Sequence, residues 1–150
     1  MKNAVIIALA ASAATLALGG CATLEEGAAS ATNMTYHANL TGAQEVAGGD
    51  PDGSGKASIT IADGLGRVCW DLHDITNIGP IAGAHIHQGA RGTDGPVVFE
   101  LHKSKTGSWK GCGKGPEWLQ NRLQSDPGAF YVNVHTAQYP KGAIRGQLTR

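Results

Sequence analysis

Three histidines carry the first chemical hint in this chain. His85 and His87 stand two residues apart in Gly83-Ala84-His85-Ile86-His87-Gln88-Gly89, and His135 follows Tyr131-Val132-Asn133-Val134. Residues i and i+2 of a β-strand point to the same side, so His85 and His87 share a face. Imidazole is a common neutral ligand of copper and zinc, and three of them with an open position suit either ion. The same spacing fits histidines that only hydrogen-bond to neighbouring strands and turns, and at this level both readings stand. The metal reading assigns His85, His87 and His135 as ligands of copper or zinc. His37, His73 and His102 read as solvated surface histidines. Of these, His102 is the reserve ligand, because it follows His87 in the next predicted strand.

The elements that must position these residues are strands. Met34, Tyr36, Ala38 and Leu40 alternate with polar neighbours, as do Ala57, Ile59 and Ile61, then Val68, Trp70 and Leu72. The pattern returns at Val97, Phe99 and Leu101, at Phe130, Val132 and Val134, and at Ile144 and Leu148. Period-two alternation means one buried and one wetter face. Gly- and Asp-rich connections such as Gly89–Pro96 supply the turns. Many short strands predict an all-β, antiparallel, Greek-key-like β-sandwich. One short helix is predicted over 116–125, with Pro116 at its first position, Leu119 and Leu123 on one face, and Asp126-Pro127-Gly128 as its stop.

Parity then sorts the site. Ala84 and Ile86 point inward, so His85 and His87 point out. Phe130, Val132 and Val134 point inward, so Tyr131, Asn133 and His135 point out, and Arg145 and Gln147 do likewise in the last strand. If these three strands share a sheet, His85, His87, His135, Arg145 and Gln147 lie on one polar surface. Glu45 and Arg145 count by default as surface charges, with a buried Arg145 paired to a loop carboxylate as the alternative.

Other chemistries lack their residues. Asp50, Asp52 and Ser54 make an acidic turn without the later glutamate of a calcium loop. Gly53-Ser54-Gly55 lacks the strand-to-helix context of a nucleophile elbow, and there is no phosphate loop or dinucleotide fingerprint. Twelve basic and twelve acidic side chains balance, which leaves no basic field for nucleic acid. The domain therefore reads as noncatalytic.

The first residues read as an address. Lys2 precedes an apolar run from Ala4 to Leu18, and Leu18-Gly19-Gly20-Cys21 resembles a bacterial lipobox. Residues 1–20 are then a lipoprotein signal peptide and Cys21 is the lipidated first residue, the link to the membrane. Residues 21–33 form a flexible tether, and residues 34–150 form one domain. Ala22 after the cysteine resembles the outer-membrane sorting pattern of Gram-negative lipoproteins, which places the protein in the bacterial cell envelope, facing the periplasm or the surface. Cys69 and Cys112 are a disulfide candidate for an exported domain. Their bridge would remove roughly 4 kcal/mol of chain entropy from the unfolded state.

The order of motifs resembles the CHRD domain, the module named after chordin and found also in bacterial exported proteins. The resemblance spans about Met34 to Leu148. It is carried by Leu40-Thr41-Gly42-Ala43-Gln44-Glu45-Val46, Gly55-Lys56-Ala57, Ala84-His85-Ile86-His87-Gln88-Gly89 and Gly95-Pro96-Val97-Val98. It closes with Tyr131-Val132-Asn133-Val134-His135-Thr136, Tyr139-Pro140 and Gly142-Ala143-Ile144-Arg145-Gly146-Gln147-Leu148. Ala47 departs from the proline that often follows Glu-Val in the family. The resemblance implies an all-β domain and no reaction. A weaker similarity links Gly83-Ala84-His85-Ile86-His87 to the copper-binding strand of copper/zinc superoxide dismutase, without that enzyme's zinc loop. Three functions follow as expectations. They are a lipid-anchored, metal-binding envelope domain, an adhesion module with an envelope protein partner and structural histidines, and, least supported, a dismutase-like redox enzyme.

Overall fold

A computed structural model describes residues 33–150, so the signal segment, Cys21 and the tether up to residue 32 lie outside the described residues. Eight strands and one helix follow in order: β1 (Asn33–Thr41), β2 (Ser54–Ala62), β3 (Arg67–Thr76), β4 (Ile81–Gln88), β5 (Val97–Leu101), β6 (Lys110–Lys114), α1 (Glu117–Ser125), β7 (Phe130–Thr136) and β8 (Ile144–Gln147). All pairings are antiparallel, and the strands form one sheet in the order β5-β4-β7-β8-β1-β2-β3-β6. The class is all-β with one short helix, as the alternation predicts.

The two layers of the sandwich are two halves of this one sheet, rolled until its ends approach each other. Trp70 of β3 packs edge-on against Phe99 of β5 with ring centroids 5.9 Å apart, and its indole N–H donates to the carbonyl of His102 at 3.1 Å. A sheet curled this far encloses one core. Tyr36, Leu40, Ile59, Ile61, Val68, Ile86, Val132, Val134 and Ile144 are buried within it. Leu119 and Leu123 of α1 add to the same cluster. A nine-residue helix gains little stability from itself, and the docking of these two leucines is what keeps it folded. Pro116 is the N-cap rather than the first helical residue, and the backbone N–H of Asp126 closes the last turn on the Arg122 carbonyl at 2.8 Å. Among the described residues no helix is long and apolar enough to cross a membrane.

Two features depart from the alternation. The first is β6, Lys-Gly-Cys-Gly-Lys, which has no apolar pattern to announce it. It forms because Cys112 lies directly opposite Cys69 of β3 and the two are joined in a disulfide, with Cα atoms 3.9 Å apart. Its glycines also let Trp70 lie close: a Cβ at Gly111 would fall 2.8 Å from the indole. The second is Val97, expected inside. A bulge between Ile86 and His87 pairs Ile86 with Phe99 but His87 with Val97, so Val97 takes the outward side and is 48 % exposed.

Candidate metal centre

The condition left open by the sequence is met, for β4, β7 and β8 are neighbours in the sheet. Register sets their outward side chains in two rows. His85 faces Asn133, which faces Arg145; His87 faces Tyr131, which faces Gln147. His135, one step further along β7, leans toward His85 and brings its Nε2 to 3.0 Å from His85 Nδ1. One ligand nitrogen from each of His85, His87 and His135 can be chosen so that all three lie within 4.8 Å of one another. Two ligands of a tetrahedral zinc, at about 2.05 Å each, stand about 3.3 Å apart. The His85–His135 pair is already near that spacing, and His87 needs a modest side-chain adjustment.

The hydrogen bonds around the rings decide which nitrogens are offered. The Nδ1–H of His135 donates to the Pro140 carbonyl at 3.1 Å, and that of His87 donates to the Gly95 carbonyl at 2.8 Å. A carbonyl accepts only, so these protons are assigned from the network. In a neutral imidazole the lone pair then sits on Nε2. For His87 that nitrogen lies 3.1 Å from Asn133 Oδ1, a second acceptor because Asn133 Nδ2 donates to Glu45 at 3.2 Å, so the Gly95 carbonyl at 2.8 Å and Asn133 Oδ1 compete for the one proton of a neutral His87 ring. Burial, followed by the charges of His135 and His87, holds the His85 pKa below its ordinary value. Burial lowers that of His135 as well, against the opposing Pro140 hydrogen bond. Neutral rings are the ligand form.

The surrounding residues are not a solvated surface. Tyr131, Asn133, Gln147 and Arg145 are buried, Arg145 to 1 % exposure. Residues 89–96 fold over them. The Arg145 guanidinium reaches the carbonyls of Ala90 at 3.1 Å and Thr93 at 2.8 Å and Asp94 Oδ1 at 3.5 Å. It also lies 3.3 Å from the Tyr131 ring centre, while His87 stacks on Tyr131 at 4.8 Å, nearly parallel. Gln147 ties down the start of the loop through the Gly89 carbonyl at 2.7 Å and the segment before β7 through the Gly128 carbonyl at 2.6 Å. Glu45 approaches from the turn after β1, and burial pushes its carboxyl up to about 7 against the Asn133 hydrogen bond and the Arg145 charge. Gly142, at φ +142°, makes room for it, since a Cβ there would run into the Glu45 carboxyl. The default reading of Glu45 and Arg145 as surface charges is therefore corrected. Arg145 lies under residues 89–96, and Glu45 is half-buried against Asn133 and Gly142, contacts that strand parity does not register.

His102 does not join the cluster. It lies just past the end of β5, exposed, with its ring 6.4 Å from Trp70 and its Nε2 3.9 Å from Glu100. His37 bonds Ser58 at 3.2 Å and His73 the Asp71 carbonyl at 3.3 Å, both away from the site. The acidic Asp50–Asp52 segment is a turn, with the Asp52 N–H on Asp50 Oδ1 at 3.4 Å. A cleft of about 380 Å³ lined by His87, Tyr131, Asn133, Asp94 and Lys141 opens the His87 side to solvent, and a second of about 200 Å³ reaches His85 beside Glu100. The residues missed by sequence reasoning are the support around the rings: Glu45, Asp94, Gly95 and the buried role of Tyr131, while the buried Arg145 beside a loop carboxylate, Asp94, follows the alternative rather than the default reading. Their signal was the unbroken run of polar residues at outward positions beside a glycine-rich loop.

Compared with known proteins, residues 36–148 match the family model described as the CHRD domain. No curated protein and no solved structure matches the chain.

Proposed function

The chain belongs to the CHRD-domain family, and on that premise we propose that it is a lipid-anchored cell-envelope domain that holds one divalent copper or zinc ion through His85, His87 and His135, without a reaction of its own. One observation carries the reading. Two of the three rings rest Nδ1 on a backbone carbonyl, Pro140 for His135 and Gly95 for His87, which leaves Nε2 as the ligand atom of each, His135 Nε2 beside His85 Nδ1 at 3.0 Å and His87 Nε2 beside Asn133 Oδ1 at 3.1 Å. Metal-ligating histidines have this outer support, which fixes ring and tautomer before the ion arrives. Nitrogen-only donors favour copper(II) or zinc over ions that want sulfur or a cage of oxygens. The clefts beside His87 and His85 offer an entry path.

The envelope assignment draws on the lipobox-like Leu18-Gly19-Gly20-Cys21 and on the Cys69–Cys112 bridge, a bond that persists in oxidising compartments. Acylated Cys21 would bind the membrane without a transmembrane helix. Mass spectrometry of the N-terminal peptide from the membrane fraction reads this directly, and Cys21→Ala should move the protein to the soluble fraction.

The metal reading is tested by titrating zinc(II) and copper(II) into metal-free protein. One ion per chain is expected, with affinity reduced at least about 100-fold in the triple His85→Ala, His87→Ala, His135→Ala variant. Equal uptake by that variant would overturn the site. The histidines would then be structural, as in an interaction module.

A further inference from the structure

The metal reading leaves open what holds His87 in its ligand form, and the loop over β8 supplies the answer. We propose that Arg145 is the positioning residue of the metal site: by fastening residues 89–96, it fixes the Gly95 carbonyl, which holds the His87 proton on Nδ1 at 2.8 Å against the competing Asn133 Oδ1 at 3.1 Å from Nε2 and so frees Nε2 for the ion. The proposal rests on the three-histidine metal reading.

The chain of contacts is short. The Arg145 guanidinium binds the Thr93 carbonyl at 2.8 Å, the Ala90 carbonyl at 3.1 Å and Asp94 at 3.5 Å, gripping the two residues before Gly95 and the start of the turn that leads to them. Gly95 then uses both of its peptide groups. Its N–H donates to the Tyr131 hydroxyl at 3.2 Å, and its carbonyl accepts from His87 at 2.8 Å. A side chain at Gly95 would collide with the Gln88 carbonyl, so the loop has little freedom to deliver that carbonyl in another way. Tyr131 works from both ends. Its hydroxyl holds Gly95, while its ring lies against Arg145 at 3.3 Å and is stacked on by His87 at 4.8 Å.

A buried arginine is suited to this task in a way lysine is not. Its planar fork reaches several carbonyls at once while its face stacks on an aromatic ring. His135 provides an internal control, because its Nδ1–H is held by the Pro140 carbonyl, outside the loop. A merely structural Arg145 would disturb His87 and His135 alike or neither. A positioning Arg145 disturbs His87 alone.

The experiment compares full-chain wild type with Arg145→Lys and Tyr131→Phe by two measurements. Long-range 15N NMR of the metal-free protein reports the tautomer of each histidine, and competition titration reports zinc(II) affinity. In wild type, His87 and His135 should both read as Nδ1–H. In each variant His87 should shift to a mixture while His135 stays fixed. Zinc(II) affinity should fall about 10- to 100-fold in Arg145→Lys, the range for loss of an outer-shell partner. If Arg145→Lys does not fold, Tyr131→Phe decides, since it removes only the hydroxyl that holds Gly95. An unchanged His87 tautomer and unchanged zinc affinity in the folded variants would overturn the positioning role and leave the metal reading standing. A wild type that takes no zinc would overturn the metal reading, and the tautomer measurement would still decide whether Arg145 sets His87.

Discussion

The two halves of the sheet carry similar outward patterns and use them differently. On β1, β2 and β3 the outward residues include Thr35, His37, Ser58, Thr60, Lys56, Asp71 and Asp74. They pair across strands in the open: Thr35 with Thr60 at 2.8 Å, His37 with Ser58 at 3.2 Å, Lys56 with Asp74 at 2.9 Å. On β4, β7 and β8 the outward residues are covered by residues 89–96 and by Glu45, and each finds a fixed set of partners. Histidines on the open half meet water, whereas His85 and His135 on the covered half have lowered pKa values caused first by burial. The open half is instead stapled at its edge by the Cys69–Cys112 bridge, because β6 has no apolar side chains with which to hold itself. One half is secured by a covalent bond, the other by a buried polar network, and only the second carries the three histidines of the proposed metal site.

Breaking each device should expose this division. The largest expected loss is from Cys69→Ala with Cys112→Ala, which should lower stability by roughly 4 kcal/mol in denaturant unfolding and free β6 to exchange its amide hydrogens, while zinc affinity holds. If metal binding fell with the bridge, the halves would not be independent. Arg145→Met should cost roughly 3 kcal/mol, because the buried guanidinium alone ties the Ala90 and Thr93 carbonyls to β8 and lies on the Tyr131 ring. Lys110→Ala, which breaks the exposed 2.8 Å pair with Asp71, should cost no more than about 0.5 kcal/mol. Similar losses from the two would remove the distinction between covered and open faces. Gly142→Ala should cost about 2 kcal/mol through its left-handed φ and the collision with Glu45, and shortening Glu45 to alanine in the same chain should recover part of it.

Acidity gives the smallest and most specific contrast. The folded-state pKa values of His85 and His135 lie below the ordinary 6.5, so below about that pH the unfolded chain binds more protons and stability falls as pH drops. Glu45 acts in the opposite direction. Its folded-state pKa of about 7 exceeds the ordinary 4.5, so its contribution is present at low pH and is lost as pH rises from 4.5 through 7. Glu45→Gln should therefore gain on wild type across that window, by on the order of 1 kcal/mol, and the gain should level off above it. A flat difference between wild type and Glu45→Gln would mean that Glu45 is as solvated as the open half.

Much of this was legible in local pattern. Strand parity placed Ala84 and Ile86 inside and His85, His87 and His135 outside, because side-chain direction in a strand depends only on counting residues. The cysteine pair was legible from its even number and the export signal read before it. Val97 escaped because a single bulge reverses parity, and β6 escaped because its reason to be a strand lies on β3. His102 was tied to His87 by strand order, but it ends up beside Trp70 rather than among the other rings.

The sequence by itself determined an all-β domain with a polar face bearing three histidines, since period-two alternation is a local property of the chain. Tertiary structure decided that this face is covered, that Arg145 is buried beneath a loop and that Glu45 reaches Asn133. Those contacts join residues 55 and 88 positions apart. Burial, fixed tautomers and shifted pKa values arise when distant segments exclude water together, and no local period encodes that exclusion.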